Sequence, residues 1–185
     1  MIEFKNVTFA YGEKQVLKNF SLKVESGERV CLFGESGKGK TTLLRLICGL
    51  EKPNAGEISG TLKTRFSAVF QEDRLLNNLP VLENVCLVGK SDKVRELLCG
   101  LGLEDCFDKK PAELSGGMKR RVAIARALCS EFDVLLLDEA FNGLDEDRIK
   151  DTAKLILEET KGKTVIMITH SIEHAKLLSA NVIHI

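Results

Sequence analysis

Residues 34–42 read GESGKGKTT and fit the phosphate-binding pattern G-x-x-x-x-G-K-[ST], which constrains the fold more than any other feature of the chain. An apolar, strand-like run at 30–33 precedes the loop, and a helical pattern at 42–48 follows it and ends at Gly49. Glycine lets backbone N–H groups approach phosphate closely, and the N-terminus of the following helix favours the same negative charge. The strand, loop and helix therefore predict an α/β nucleotide-binding core. The alternative is a flexible turn that only joins a strand to a helix.

Two side chains of the loop have specific predicted roles. Lys40 supplies a mobile cation for the outer phosphates, and the Thr41 hydroxyl is a candidate ligand of Mg²⁺. The residues predicted to contact the nucleotide from this segment are Gly34, Glu35, Ser36, Gly37, Lys38, Gly39, Lys40, Thr41 and Thr42.

The composition restricts the possible partners and compartments. The chain has 185 residues, with 27 basic and 27 acidic side chains, so its overall charge gives no attraction to nucleic acid or to anionic lipid. Its six cysteines contain no C-x-x-C pair, which favours core thiols in a reducing compartment. The longest apolar run, at 134–137, is far shorter than a membrane span, and the N-terminus has no signal-peptide profile. Any role at a membrane is therefore expected to come through a partner.

The periodicity predicts an α/β fold: a P-loop NTPase core with a largely parallel sheet, an N-terminal antiparallel β layer and an inserted helical lobe. We expect one domain over 1–185, with the lobe at about 75–118. Residues 1–24 alternate as short segments around a turn at 11–12, and 56–70 either joins that layer or returns to the main sheet, with 66–70 as its best strand. The predicted later elements are a helix at 119–129, a strand at 133–137, a helix at 147–160 and a strand at 164–169.

A second phosphate-related feature is the buried strand that runs into Asp138 and Glu139. Open α/β sheets bind ligands at the carboxyl ends of their strands, and a phosphate loop requires a carboxylate partner that holds Mg²⁺. Asp138 is predicted to be that partner, and Glu139 is placed to polarise an attacking water as a general base. Alone, a strand-ending Asp-Glu pair is more often solvated; after a phosphate loop it predicts a hydrolytic site.

A third motif, Leu114-Ser115-Gly116-Gly117-Met118, stands directly before a helix. In isolation this sequence is an ordinary N-cap. Together with the phosphate loop, a following glutamine, the Asp-Glu pair and a histidine in that order, it resembles the signature of the ATP-binding cassette (ABC) ATPases. The resemblance covers nearly the whole chain.

The resemblance implies further site residues and the cofactors ATP and Mg²⁺. Tyr11 would stack on adenine, although a turn aromatic packed on the sheet fits equally well; Gln71 would contact Mg²⁺ or water and link the core to the helical lobe. His170 would contact the γ-phosphate as a switch residue. Asp145 matches a loop that couples two protomers, and Ser115, Gly116 and Gly117 would meet the nucleotide held by a second cassette.

Some features leave alternatives open or depart from the family pattern. His170 and His174 are four residues apart and could share a metal on one helical face, but no third ligand of suitable spacing is evident. Lys38 stands where the family usually has a small residue, so it would add a cation near the phosphates or point to solvent. Arg120 stands where glutamine is frequent. The segment at 56–71 and the helical lobe look short for the family, which suggests a minimal cassette.

The resemblance is greatest to the nitrate, sulfonate and taurine importer group, which implies the ATPase subunit of an ABC membrane transporter. The expected partners are transmembrane permease subunits, a second cassette (a homodimer or a paralogue) and an extracytoplasmic substrate-binding protein, with no nucleic acid. The expected location is the cytoplasmic face of the cell membrane. The alternative is a soluble, non-transport ABC ATPase. A P-loop kinase or GTPase would leave the signature unexplained, and no Asn-Lys-x-Asp guanine reader is present.

Overall fold

The computed structural model describes residues 1–35, 38–89 and 91–185 and contains two β-sheets. The first sheet is antiparallel, in the order β2-β1-β4. Its strands are β1 (Ile2–Tyr11), β2 (Lys14–Val24) and β4 (Ala55–Ser59). The second sheet is parallel throughout, in the order β5-β6-β7-β3-β8. Its strands are β3 (Arg29–Phe33), β5 (Phe66–Val69), β6 (Val134–Asp138), β7 (Thr164–Ile168) and β8 (Asn181–His184).

Helices pack around the parallel sheet, and two of them lie wholly within the residues predicted as the helical lobe. They are α1 (Lys40–Ile47), α2 (Val81–Cys86), α3 (Ser91–Gly100), α4 (Gly116–Cys129), α5 (Glu146–Glu159) and α6 (Ile172–Leu177). Two short 3-10 turns, Glu104–Cys106 and Pro111–Glu113, connect α3 to α4. The α/β class, the parallel sheet, the antiparallel layer and the helical segment after β5 are thereby confirmed.

The antiparallel layer differs from its prediction in one respect. Residues 2–11 form one strand, although the apolar positions suggested separate segments. Asn6 adopts a positive φ of 49°, and the pairing with β2 shifts register between Phe4 and Val7. An extra residue changes which face the following side chains occupy, so Phe4 and Val7 are both buried despite their odd spacing.

Both alternatives for residues 56–70 occur, one in each half of the segment. β4 joins the antiparallel layer beside β1, whereas β5 returns to the edge of the parallel sheet beside β6. Gly56 has a φ of 84°, and a Cβ atom there would overlap the carbonyl oxygens of Lys5 and Asn6. Glycine is therefore required where β4 passes the bulge in β1.

The parallel sheet separates two hydrophobic clusters. On one side, Leu135 and Leu137 of β6 pack in the cluster that contains the lobe residues Val94 and Leu97. On the other side, Leu136 packs with α1 and the antiparallel layer. A strand that is buried on both faces reads as a continuous apolar run, as β6 and β7 do.

Sequence reasoning missed the last strand and the helix before it. β8 pairs with β3, but most of its side chains are exposed, so it has no long apolar run. α6 has only six residues, which is too short for a clear helical period.

No helix in the described part of the chain is long and apolar enough to cross a membrane. Among the cysteines, Cys31, Cys106 and Cys129 are buried, and burial raises the pKa of the Cys31 thiol to about 11. These buried thiols are core residues, as the sequence indicated.

We expect Leu136→Ala to lower the free energy of unfolding by about 2–5 kcal/mol, because it leaves a cavity in place of a fully buried side chain. Leu62→Ala is the matched control, since Leu62 is fully exposed, and should change stability by less than about 0.5 kcal/mol. Urea unfolding followed by circular dichroism measures both. Equal losses in the two variants would contradict the packing described for β6.

Candidate nucleotide site at the carboxyl edge of the parallel sheet

A cavity with a volume of about 560 Å³ lies at the carboxyl edge of the parallel sheet, within the size range of small-molecule sites. It is lined by Tyr11, Lys14, Val16, Gly39, Lys40, Thr41, Thr42, Gln71, Asp138, Glu139, Asn142, Ile168 and His170. Most of the side chains that the sequence predicted for the nucleotide site of a single chain therefore lie in this one cavity. Lys14 and Val16 were not anticipated, because they belong to β2, which approaches the site only through the tertiary fold.

The start of α1 has the features of an anion site. Gly39 caps the helix with a φ of 87°, and a Cβ atom there would lie 2.7 Å from Cγ1 of Val16. Only glycine fits this backbone conformation and close approach without strain. No acidic side chain stands in the first turn of α1, so the helix itself places no negative charge against a bound anion.

Lys40 is buried, and its ammonium lies within the loop that precedes it. Nζ donates to the carbonyl oxygens of Gly34 at 2.6 Å and of Glu35 at 2.7 Å. These bonds satisfy a buried cation. They also hold the positive charge at the mouth of the helix, where outer phosphates would lie.

Thr41 and Asp138 connect the loop to β6. The Thr41 hydroxyl donates to Oδ2 of Asp138 at 2.8 Å, and Asp138 is 2% exposed at the end of its strand. Burial raises the pKa of this carboxyl above its ordinary range, while the Thr41 hydrogen bond opposes the rise. The hydroxyl and carboxylate thus already adjoin each other.

Glu139 occupies a strained position next to Asp138. Its φ of 50° is unusual for a residue other than glycine, and its N–H donates to the Ile168 carbonyl at 3.0 Å. This bond ties Glu139 to the end of β7. Such strain often occurs at functional sites, where the surrounding structure maintains it.

The carboxylate of Glu139 faces His170. Oε1 of Glu139 lies 3.0 Å from Nε2 of His170, whose side chain is half exposed. Burial raises the pKa of the Glu139 carboxyl, the charge of His170 lowers it, and the charge of Asp138 raises it further. Glu139 is therefore a more basic carboxylate than an exposed glutamate.

His174 has a separate environment. Its Nδ1 lies 3.2 Å from the Thr169 hydroxyl, its ring meets Phe141 edge-on at 5.1 Å, and burial lowers its pKa. Within the described residues, no cluster of three or more His, Cys, Asp or Glu side chains forms a metal site. These contacts give His174 a packing role beside the loop of His170.

Tyr11 lies at the outer wall of the cavity and is 41% exposed. Its ring packs edge-on against Phe9 at 4.8 Å, and its hydroxyl accepts a hydrogen bond from Nη1 of Arg45 at 3.4 Å. The Tyr11 ring therefore packs on the sheet, and its exposed part also borders the cavity. Sequence reasoning did not identify Arg45 as a partner.

The remaining loop residues that the structure describes lie near this cavity. Gly34, Glu35 and Lys38 line an adjoining cavity together with His170. The Lys38 ammonium lies 4.0 Å from the Glu35 carboxylate, and 56% of its side chain is exposed. Lys38 therefore lies at the solvent side in this conformation. Ser36 and Gly37 lie outside the described residues.

The signature residues do not line the main cavity. Ser115 caps α4 by accepting a hydrogen bond from Met118 N–H at 3.2 Å, and Asp145 caps α5 in the same way from Arg148 at 2.9 Å. A Cβ atom on Gly117 would lie 2.7 Å from the Gly143 carbonyl oxygen. The signature and the 143–145 loop therefore pack against each other, away from the chain's own phosphate loop.

Comparison with known proteins gives a consistent picture. The family model described as "ABC transporter" matches residues 17–142. The aliphatic sulfonates import ATP-binding protein SsuB 1 of Rhodococcus jostii is 41% identical, and the match covers 98% of this chain and 78% of that protein. The macrolide export ATP-binding/permease protein MacB of Haemophilus ducreyi is 39% identical, and the match covers 95% of this chain but 30% of that protein. The chain thus spans less than a third of MacB.

A solved structure agrees with the fold over the full chain. The dimeric bacterial ABC transporter cassette MJ0796 is 34% identical, with a TM-score of 0.89, and the match covers 100% of this chain and 94% of that one. The same cassette in a dimeric post-hydrolysis state bound to ADP and Pi matches with 33% identity and a TM-score of 0.88. By its family match, its relatives and its fold, this chain belongs to the ABC transporter family, as an ATP-binding cassette.

Proposed function

We propose that this chain is the ATP-binding and ATP-hydrolysing subunit of an ABC membrane transporter, and that residues 1–185 act as one cassette. The observation that carries the proposal is the convergence of Lys40, Asp138, Glu139 and His170 on one cavity at the end of the parallel strands. A buried cation, a helix N-terminus and a raised-pKa carboxylate together suit binding and hydrolysis of a phosphate anhydride. The post-hydrolysis state of the related cassette supports the same chemistry.

The donor set beside the phosphate loop fits Mg²⁺. The Thr41 hydroxyl, the Asp138 carboxylate and the Gln71 amide border the same cavity, and oxygen atoms are the ligands that Mg²⁺ prefers. Only one of these groups is a carboxylate, so phosphate and water oxygens would complete the shell. Mg²⁺ bound there would neutralise charge on the phosphate oxygens.

Glu139 and His170 are the proposed hydrolytic pair. The Glu139 carboxylate takes a proton from the attacking water, and its raised pKa brings it closer to the pH at which a general base is most effective. His170 orients that carboxylate through the 3.0 Å contact and presents its half-exposed ring toward the γ-phosphate position. Tyr11 would stack on the adenine with the exposed part of its ring.

The signature and Asp145 fit a role toward a second cassette. Both lie at helix starts away from the chain's own phosphate loop, and the related cassette is dimeric. Ser115, Gly116 and Gly117 would offer the first backbone N–H groups of α4 to the γ-phosphate held by the partner. Two ATP molecules would then lie between two chains, and hydrolysis would release the pair.

We place this cassette in an importer, because the sulfonate import protein matches over 98% of this chain and 78% of its own length. Its partners would be permease subunits in the membrane, a second cassette (identical or paralogous) and an extracytoplasmic binding protein that delivers the substrate. Its location would be the cytoplasmic face of the membrane, where ATP is available.

We expect Glu139→Gln to lower the hydrolysis rate by more than about 100-fold, because it removes the general base. ATP binding should remain, and an ATP-dependent dimer should accumulate on gel filtration. The matched control is the double variant Lys40→Ala/Glu139→Gln, which loses the phosphate cation and should stay monomeric. A monomer of Glu139→Gln at high protein concentration and saturating ATP would contradict the sandwich.

The pH profile of hydrolysis should have an acidic limb above pH 4.5, the ordinary pKa of glutamate, because burial raises the pKa of Glu139. The reactive form is the carboxylate, so the rate rises with pH through this raised pKa. Burial also raises the pKa of Asp138, and the measured midpoint therefore belongs to the pair. A full rate at pH 4.5, with circular dichroism showing the folded state, would count against this assignment.

Affinity purification of the tagged chain from detergent-solubilised membranes of its host tests the transport role. We expect a multi-span membrane protein in near-equal amount by mass spectrometry. Untagged host membranes, processed identically, are the control. Recovery only from the soluble fraction, without such a protein, would favour a non-transport ABC ATPase.

A further inference from the structure

We propose that Arg120 is a positioning residue for Gln71, so that the signature helix α4 sets the location of the proposed Mg²⁺-contacting amide. Arg120 lies on α4, two residues after the signature, and is 6% exposed. The inference rests on the proposed function, since it concerns the metal contact of that same site.

Arg120 makes a set of short contacts with the loop that follows β5. Nη1 of Arg120 donates to the Phe70 carbonyl at 2.6 Å, and Nη2 donates to the Gln71 carbonyl at 2.6 Å. Nη1 also lies 3.1 Å from the Asp73 carboxylate. A planar guanidinium can hold two adjacent carbonyls at once in a fixed geometry, which a lysine ammonium cannot do.

Burial makes these bonds strong constraints on the loop. Only 7% of the Arg120 side chain is exposed, so water has little access to the guanidinium and cannot readily replace its hydrogen bonds to the loop. Burial raises the pKa of the Asp73 carboxyl, and the charge of Arg120 opposes that rise. The ion pair and the two carbonyl bonds therefore hold one short segment of main chain from the same side.

The consequence for the site concerns the side chain of Gln71. Gln71 is exposed and lines both the main cavity and the adjoining cavity beside Arg45. Because Arg120 holds the Gln71 carbonyl, only rotation of the side chain would bring the Gln71 amide to the proposed Mg²⁺ position. Fixing the backbone reduces the entropy lost on ligation, which is the usual effect of preorganisation. Movement of α4 would carry Gln71 with it.

Arg126 provides a matched control on the same helix and the same loop. Its Nη1 donates to the Arg74 carbonyl at 3.0 Å, and its Nη2 donates to the Asp73 carbonyl at 3.0 Å. It therefore makes two carbonyl bonds to the same segment but does not touch Gln71 in these contacts. Arg126 is less buried than Arg120, and the two arginines hold different residues of the segment.

The test measures how much Mg²⁺ increases nucleotide affinity. Calorimetric titration of the full chain with a non-hydrolysable imido analogue of ATP is done in excess Mg²⁺ and in excess EDTA, and the ratio of the two dissociation constants is the metal-dependent gain. We expect Arg120→Gln to reduce this gain by about 10-fold, typical for loss of a group that supports a metal ligand. Gln71→Ala should reduce it equally, and affinity in EDTA should stay unchanged.

Arg120→Lys retains a charge beside Asp73 and should show the same loss of gain, which separates the two-carbonyl geometry from the charge alone. Unchanged affinity in EDTA shows that each variant is still folded. Arg126→Gln should keep the wild-type gain. The double variant Arg120→Gln/Gln71→Ala should lose no more than either single variant, because both act through one amide.

Wild-type gain in Arg120→Gln and Arg120→Lys, or additive losses in the double variant, would overturn the inference and leave the proposed function standing. If the wild-type chain binds no nucleotide in Mg²⁺, the proposed function fails and the inference fails with it.

Discussion

The common direction of the strands in the parallel sheet is the constraint on which the candidate site depends. β5, β6, β7 and β3 are neighbours and all point the same way, so their carboxyl ends lie along one edge. The segments that follow them contain Gln71, Glu139, His170 and the phosphate loop, respectively, and Asp138 is the last residue of β6. Residues of these segments that are up to 131 positions apart in the sequence, from 39 to 170, thereby meet at one cavity.

The parallel sheet is stable because both of its faces are covered. The antiparallel layer and α1 cover one face, and α4 together with the helical lobe covers the other. The lobe shares a continuous hydrophobic cluster with β6 and β7, so it is packed on the sheet through the side chains that also support Asp138. Removal of bulk from that cluster would therefore affect the site as well as the fold.

Local patterns made a large part of the fold and of the candidate site predictable. The phosphate loop, the Asp-Glu pair and the capped start of α4 are each encoded within a few residues. β6 and β7 were recognised because a fully buried strand is apolar throughout. The resemblance to a family then connected the separate motifs.

Features that depend on tertiary contacts were not predictable in this way. The bulge at Asn6 and the positive φ of Glu139 result from how neighbouring strands pair and end. Lys14 and Val16 reach the cavity only because β2 passes the start of α1, and β8 is too short and exposed for a pattern. Arg120 was visible in the sequence, but its partners at 70, 71 and 73 lie about 50 residues away along the chain.

The contacts around α4 also connect parts of the site that have different proposed roles. The Asn142 N–H donates to the main-chain carbonyl of Glu139 at 3.1 Å, so the loop toward Asp145 begins at the residue proposed as the general base. That loop packs against Gly117 at the start of α4, and Arg120 lies one turn further along the helix. A rigid helix, or a loop held by main-chain hydrogen bonds, can carry a displacement between the parts of the site that it connects. A second cassette that pressed on the signature would therefore act on the Gln71 main chain through α4, and on Glu139 through the 142–145 loop.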